Sequence, residues 1–525
     1  MSPRRLARVL STAGLIASLI GGASCTRPEE TAAPPNVLLV TIETLRADHV
    51  SSYGYSRLTT PNLDRLASEG ARFMTVIAQA PFTLPSIASL LTGRTPPTHG
   101  VRNHPATLSP DIETVAERFR HAGYETAAMT RHTWLRNRSG LDQGFEHYFN
   151  NKFQAGLDAR SLSLAAVDWL TRRNPHKPFF LWLHFLDPHL PYTPSYPYSV
   201  IFGGSRDHEP QVKHLRSLVG VDREDFRPTP YADLAGGPYY DLVLPAYPDN
   251  EVLLDLAFWR RSRGSIFFGK KRYSRETVQE IMNLYDGAIL YTDDNLGRIL
   301  EALSELGLEK TTLVAVTSDH GEAFGEHGVY FTHDFTLYDE VLRVPLVIRY
   351  PGIVPADLLV PQQVRLMDVA PTLLELAGVA PLEAIEAKSL VPLLSGGSLP
   401  FLEAFAESAP LRPQFPEQDR VYFPGNRGKW RMVRTERWKL IRIPHPEGDR
   451  YEFYDLERDP SETNNLFQDL PGEAGRLAPS LDAWMAVDAL RNSEAHGEKV
   501  EELDPASLDQ LRALGYLEAE RPAKR

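Results

Sequence analysis

One cysteine, Cys25, occurs in 525 residues. That excludes an intrachain disulfide and any metal cluster built on thiolates. An apolar run at 9–20 falls short of the roughly 20 residues that a membrane-spanning helix needs. Excess basic charge is also missing. The formal net charge of −12 argues against a broad nucleic-acid surface, which would need a basic stripe. It leaves room for a small group of cations facing one phosphate or sulfate. No internal repeat is found. The length allows one large domain plus a smaller one, or two or three domains. The 42 prolines imply many loops inside a large fold.

The N-terminus is patterned. Arg4, Arg5 and Arg8 precede the apolar run, and small residues at 21–24 lead to Cys25. This is the order of an export signal. A cysteine directly after small residues matches a bacterial lipoprotein signal, in which the thiol is lipidated after cleavage. Plain secretion and an uncleaved anchor are the alternatives. Residues 26–35, with three prolines, read as a polar tether. The expected location is the periplasm or the outer membrane, with membrane contact only through the lipidated N-terminus.

Residues 36–42 form a β-branched and aliphatic run that reads as a buried parallel strand. Glu43 stands at its carboxyl end, where open α/β sheets gather their ligands. A second such run at 179–186 ends in Asp187 and His189, and a third at 312–317 ends in Asp319 and His320. Helices are predicted at 61–70, 114–122, 161–172, 276–306 and 366–377, and further strands at 124–130 and 344–349. This alternation predicts a three-layer α/β/α fold with a large, mainly parallel sheet. Residues 193–272 read as an insertion over the carboxyl end of the sheet. Its Tyr239, Tyr240, Phe258 and Trp259 would either stack on a sugar or pack on the sheet. Short strands at 429–434, 438–443 and 452–454 predict a small C-terminal α+β subdomain with an antiparallel sheet. The expected division is a signal at 1–25, a linker at 26–35, a catalytic domain at 36–395, the subdomain at 396–470 and a helical tail at 471–525, closed by a helix at 508–517.

Thr83 lies between Pro81 and Pro85, which predict a loop there, with a helix at 86–91. A hydroxyl at such a junction sits among helix N–H groups that lack partners. It suits a nucleophile attacking an anion, or simply a helix cap. With the strand-end residues it gives the set Glu43, Thr83, Asp319 and His320. Hard oxygens plus imidazole suit one divalent cation such as Ca²⁺, Mn²⁺, Mg²⁺ or Zn²⁺. The cation would lower the pKa of the Thr83 hydroxyl. His189, His333 and Arg46 would hold the remaining substrate oxygens or protonate the leaving group.

Several stretches together resemble the sulfatase family of the alkaline-phosphatase-like superfamily. They are NVLLVTIETLRADH at 36–49, TPNLDRL at 60–66, SLLTGR at 89–94, DPHLPY at 187–192, TSDHGE at 317–322, LYDEVLRVP at 337–345 and YDLERDPSETNNL at 454–466. The resemblance implies that superfamily's fold and a metal-dependent ester hydrolase. The family's Cys-x-Pro-x-Arg falls on Thr83, Leu84, Pro85, Ser86 and Ile87. The family cysteine, or sometimes serine, is oxidised to formylglycine. Thr83 cannot be, because its β-carbon carries a methyl, so no formylglycine is expected. Thr in this position resembles the phosphatase, phosphodiesterase and phosphoethanolamine-transferase branches, where it is itself the nucleophile. Glu43 stands where the family has Asp, and Asp319–His320 where sulfatases have Asp-Asn. Arg131 corresponds to a substrate-contacting Lys. Asp187, His189 and His333 would be available to a second metal, but the 187–189 stretch is closer to the family's substrate-histidine motif, so one metal is expected. The expected function is hydrolysis of a small anionic ester, of carbohydrate or lipid origin. A phosphate mono- or diester or a phosphonate ester is favoured over a sulfate ester. An inactive sulfatase-like binding protein and a phospho-substituent transferase are the alternatives.

Overall fold

Seven consecutive buried residues, Asn36–Ile42, form strand β1 in the middle of a nine-stranded sheet. The computed structural model describes residues 33–104, 106–150, 158–190, 192–203, 273–410 and 428–492. All of the architecture below lies in the unit Pro35–Arg525. Side chains of β1 alternate between two cores. Val37 and Leu39 enter one, and Leu38, Val40 and Ile42 the other. A strand buried on both faces has no solvent-facing register to fill, which is why its sequence is a nearly continuous apolar run.

The other strands of the sheet are β2 (Ala71–Ile77), β3 (Glu125–Thr130), β4 (His147–Asn150), β5 (Phe179–Phe185) and β6 (Thr312–Ser318). After a separate ribbon of β7 (Ala323–Phe324) and β8 (Tyr330–Thr332) come β9 (Arg343–Arg349), β10 (Leu358–Val360) and β11 (Val364–Arg365). The spatial order is β10-β2-β9-β6-β1-β5-β3-β4, with β11 also on β2. β9 runs antiparallel to both β6 and β2, and the remaining pairs of this sheet are parallel. Helices Thr83–Thr92, Val115–His121 and Val369–Leu376 cover one face. Helices Pro61–Ser68, Ala159–Arg172 and Arg275–Glu305 cover the other. The three-layer fold is as the alternation predicts.

The sequence reading lacks the β7–β8 ribbon and the short strands β10 and β11, and differs from the structure elsewhere. β2 and β4 were not predicted: charge and polar residues interrupt β2, and β4 is a four-residue edge strand. The helix at the loop 80–94 begins at Thr83, not at 86. Pro85 is its third residue, where the missing N–H would have had no helical partner, so the ring is tolerated there.

A second sheet of β12 (Ala404–Glu407), β13 (Arg431–Arg434), β14 (Trp438–Ile443) and β15 (Arg450–Asp455) is antiparallel. Helix Pro471–Asn492 packs Leu477, Leu481 and Trp484 against its Val433, Leu440 and Phe453. The predicted closing helix at 508–517, the export signal with Cys25, and the insertion from 204 to 272 with its four aromatics lie outside the described residues. Among the described residues no helix is long and apolar enough to cross a membrane.

His327 ties the 325–328 loop to the C-terminal segment. Its Nδ1–H donates to Glu340 Oε1 at 2.9 Å and its Nε2–H to the Glu462 carbonyl at 2.9 Å. Burial opposes the charged ring, but these acceptors win and raise its pKa from 6.5 to about 9. A raised folded-state pKa gives stability that is full below the unfolded value and is lost as pH climbs through the folded one. Stability is therefore expected to fall between pH 6.5 and about 9. Denaturant midpoints across that window should show the slope in the native chain and a flatter one in His327→Gln.

Candidate functional site

Glu43 follows β1 directly and is wholly buried. Each of its carboxylate oxygens has a partner. Thr83 Oγ1–H donates to Oε1 at 2.7 Å. Oε2 lies 2.5 Å from His184 Nε2. β5 pairs with β1 in parallel, with His184 opposite Thr41. The paired carboxyl ends of β1 and β5 thus bring the acid and the imidazole together.

Asp319 and His320 follow β6, the other neighbour of β1. His320 Nε2 is 3.3 Å from both Glu43 Oε1 and Asp319 Oδ2. His320 Nδ1–H donates to the Gly321 carbonyl at 2.9 Å, so in the neutral ring that a cation would bind, Nε2 is the lone-pair nitrogen. Both Asp319 Oδ2 and His320 Nε2 are buried and make no hydrogen bond. One ligand atom from each of Glu43, Asp319 and His320 falls within a 4.8 Å group. Two carboxylates crowded at one point raise the cost of ionising both. Burial, then Glu43, push the Asp319 carboxyl up to about 7. His320 rises to about 9 despite burial, because Asp319 and Glu43 face it. Glu43 stays well below the usual carboxylate range: burial opposes this, and His132, His184 and His320 outweigh it. Oxygens, one oriented imidazole nitrogen and two unpartnered buried atoms fit a divalent cation. The sequence-predicted set Glu43, Thr83, Asp319 and His320 is assembled.

The backbone bends sharply just after Glu43. Thr44 has φ 53°, the left-handed region that costs a β-branched residue about 1–2 kcal/mol. Its N–H donates to Asp319 Oδ1 at 3.2 Å, and its carbonyl accepts from Tyr285 Oη at 2.6 Å.

Histidines fill the other side of Glu43. His132 and His189 each bring a ring nitrogen into a second 4.8 Å group with Glu43. That group suits a cation poorly. His132 Nδ1 accepts the Trp134 N–H at 3.3 Å, so its hydrogen is on Nε2 and it presents a donor. Burial holds His132 down to about 3, His189 to about 4 and His333 to about 3. His189 Nδ1–H donates to the Leu190 carbonyl at 2.7 Å. The His333 ring lies 4.2 Å from that of His320 and 5.3 Å from that of His189. Its Nδ1 is 3.3 Å from Glu322 Oε1, and burial pushes the Glu322 carboxyl up to about 7. His189 and His333 therefore stand in the cluster, as the sequence reading expects.

Arg46 and Arg131 stand differently. The Arg46 guanidinium is occupied by Asp48 at 2.7 and 2.9 Å, by Glu326 at 2.7 Å and by the Glu322 carbonyl at 3.0 Å. Arg131 is half-buried; burial pushes the Asp187 carboxyl up to about 6, and the Arg131 charge offsets only part of this. Asp187 in turn accepts the Ala159 N–H at 2.9 Å at the start of a helix. Neither cation is aimed at Thr83 by any described contact. His132 and His184 were missed from sequence. His132 lies two residues past a predicted strand end, and His184 is a titratable residue inside an apolar strand; both were visible signals.

The family model described as Sulfatase matches residues 35–379. A second, described as N-sulphoglucosamine sulphohydrolase, C-terminal, matches 325–477. An N-acetylglucosamine-6-O-sulfatase of Bacteroides thetaiotaomicron is 27% identical over 492 residues, covering 85% of each chain. A protein solved with its substrate D-glucosamine-2-N,6-O-disulfate superposes with TM-score 0.66 at 22% identity, over 89% of this chain and 100% of that one. The phosphonate monoester hydrolase of Agrobacterium radiobacter superposes with TM-score 0.62 at 23% identity, over 87% and 96%.

Proposed function

The chain belongs to the sulfatase family of ester hydrolases, and from that premise we propose that it cleaves phosphate or phosphonate esters with Thr83 as nucleophile. The observation that carries this reading is Thr83 Oγ1, 2.7 Å from Glu43 Oε1 at the start of helix Thr83–Thr92, beside Asp319 and His320. A divalent cation on Glu43, Thr83, Asp319 and His320 would lower the hydroxyl pKa and screen the incoming anion. Thr83 Oγ1 forms a bond to phosphorus as the bond to the leaving oxygen breaks. Its proton passes to Glu43 Oε1, which it already faces, and the leaving oxygen takes a proton from water. Water then releases the phosphoryl group from Oγ1. The His132 N–H is a donor for the developing oxyanion, and His189 and His333 line the same side for substrate oxygens and the leaving group. Thr83 carries a methyl on the β-carbon and so cannot supply the aldehyde of a formylglycine. This favours phosphorus over sulfur as the centre attacked. A carbohydrate-derived substrate is favoured by the sulfated glucosamine bound by one structural neighbour.

Purified protein loaded with Mn²⁺, Ca²⁺ or Zn²⁺ is expected to turn over aryl phosphonates and aryl phosphate esters. The kcat/KM should be at least about 100-fold above that for aryl sulfates, a gap of roughly 2.7 kcal/mol in transition-state binding. Faster sulfate hydrolysis would overturn the preference. Glu43 and Ile87, both departures from the family pattern, favour a second reading as a non-catalytic binding protein. Absence of turnover on every ester, together with absence of bound metal, would decide for it. Export and lipidation at Cys25 belong to the same proposal. The chain is expected in the membrane fraction, and Cys25→Ala in the soluble exported fraction.

A further inference from the structure

A line of hydrogen bonds runs from the apolar interior of the sheet to the nucleophile. Trp182 Nε1–H donates to Thr41 Oγ1 at 3.0 Å. Thr41 Oγ1 lies 2.8 Å from His184 Nδ1. His184 Nε2 lies 2.5 Å from Glu43 Oε2, and Glu43 Oε1 accepts from Thr83 at 2.7 Å. All five side chains are buried to within 0% exposure. An indole N–H only donates, so it takes up one of the two acceptor positions of Thr41 Oγ1. Thr41 Oγ1 accepts there and has one hydrogen to give. The His184 nitrogen at 2.8 Å is nearer than the Leu183 carbonyl at 3.3 Å, so the hydrogen goes to Nδ1. His184 Nε2 then carries the hydrogen that Glu43 Oε2 receives.

From this geometry we infer that His184 is a positioning residue for Glu43. The Glu side chain is longer by one methylene than Asp and has an additional torsion to fix. Anchoring Oε2 on a buried imidazole leaves Oε1 facing Thr83 and the point shared with Asp319 and His320. Trp182 and Thr41 set the tautomer that makes the anchor a donor. The inference rests on the proposal that Glu43 ligates a divalent cation, and it says how this chain holds a Glu in that role.

The test measures Mn²⁺ and Zn²⁺ affinity of the full-length protein by calorimetry, independently of turnover. His184→Phe keeps a ring but no donor, and is expected to weaken binding about 10–100-fold, the usual effect of losing an outer partner of a metal ligand. His184→Gln places an amide N–H near the Nε2 position and should restore most of that loss. Thr41→Val removes one hydroxyl without changing side-chain shape, and is expected to weaken binding about 2- to 10-fold. It carries the test alone if His184→Phe does not fold. Glu43→Gln tests the underlying reading. If Glu43→Gln loses the metal while His184→Phe and Thr41→Val bind as the native chain does, the positioning role is overturned and the ligand assignment stands. If Glu43→Gln binds metal normally, the ligand assignment falls and the inference falls with it.

Discussion

Thr83→Ala is expected to lower kcat/KM on an aryl phosphonate by a factor on the order of 10⁴–10⁶, the range seen when a hydrolase loses its attacking oxygen. The argument is local. Thr83 is wholly buried, and its hydroxyl has one described partner, Glu43 Oε1 at 2.7 Å. Water admitted by the smaller side chain would have to attack without the orientation the helix supplies. The structural cost is small by comparison. Loss of one hydrogen bond amounts to about 1 kcal/mol, so the variant should fold and melt close to the native chain. Thr83→Ser keeps the oxygen and should retain activity within about tenfold, a barrier change of roughly 1.4 kcal/mol. Normal turnover by Thr83→Ala would remove Thr83 from the chemistry.

Asp319→Ala should have the second large effect, read on metal and not on rate. Asp319 Oδ2 is a buried oxygen without a hydrogen bond, 3.3 Å from His320 Nε2. Losing an outer partner already costs about 10–100-fold in affinity, so losing a direct ligand should exceed about a hundredfold. Linkage makes this visible in thermal melts. A cation at a hundred times its Kd stabilises the native chain by about 2.7 kcal/mol. The native protein should gain that increment on titration with Mn²⁺ or Zn²⁺, and Asp319→Ala should gain little. Equal gains in both would take Asp319 out of the ligand set.

The residues that sequence reasoning found, and those it missed, differ for a physical reason. β1, β5 and β6 are buried on both faces, so they read as unbroken apolar runs, and the first polar residue after β1 and β6 is at or next to the site. Glu43, Asp319 and His320 were legible for that reason. The same rule applied to β3 reaches His132 two residues beyond Thr130, whereas the family resemblance pointed to Arg131, one residue away. His184 falls inside β5, where position along a strand does not tell a buried polar residue in the core from one facing an acid on the next strand. Only the register that sets β5 on β1 separates them. The antiparallel direction of β9 was not legible at all, since an apolar run has no direction. Nor was the occupation of Arg46 by Asp48 and Glu326, because Glu326 lies 280 residues away in sequence.

The chemistry gathers at the carboxyl ends of the strands. Glu43, His132, His189 and Asp319 each stand on a separate connection leaving its own strand. The sheet therefore works as a chassis with exchangeable fittings. A change confined to the polar residues of one connection would alter what is gripped while leaving the strands in place. The bend at Thr44 is an exception to that freedom. It is fastened to Asp319 and to Tyr285 of the long helix at once, so the fitting that holds Glu43 is bolted to one other fitting and to a helix of the outer layer.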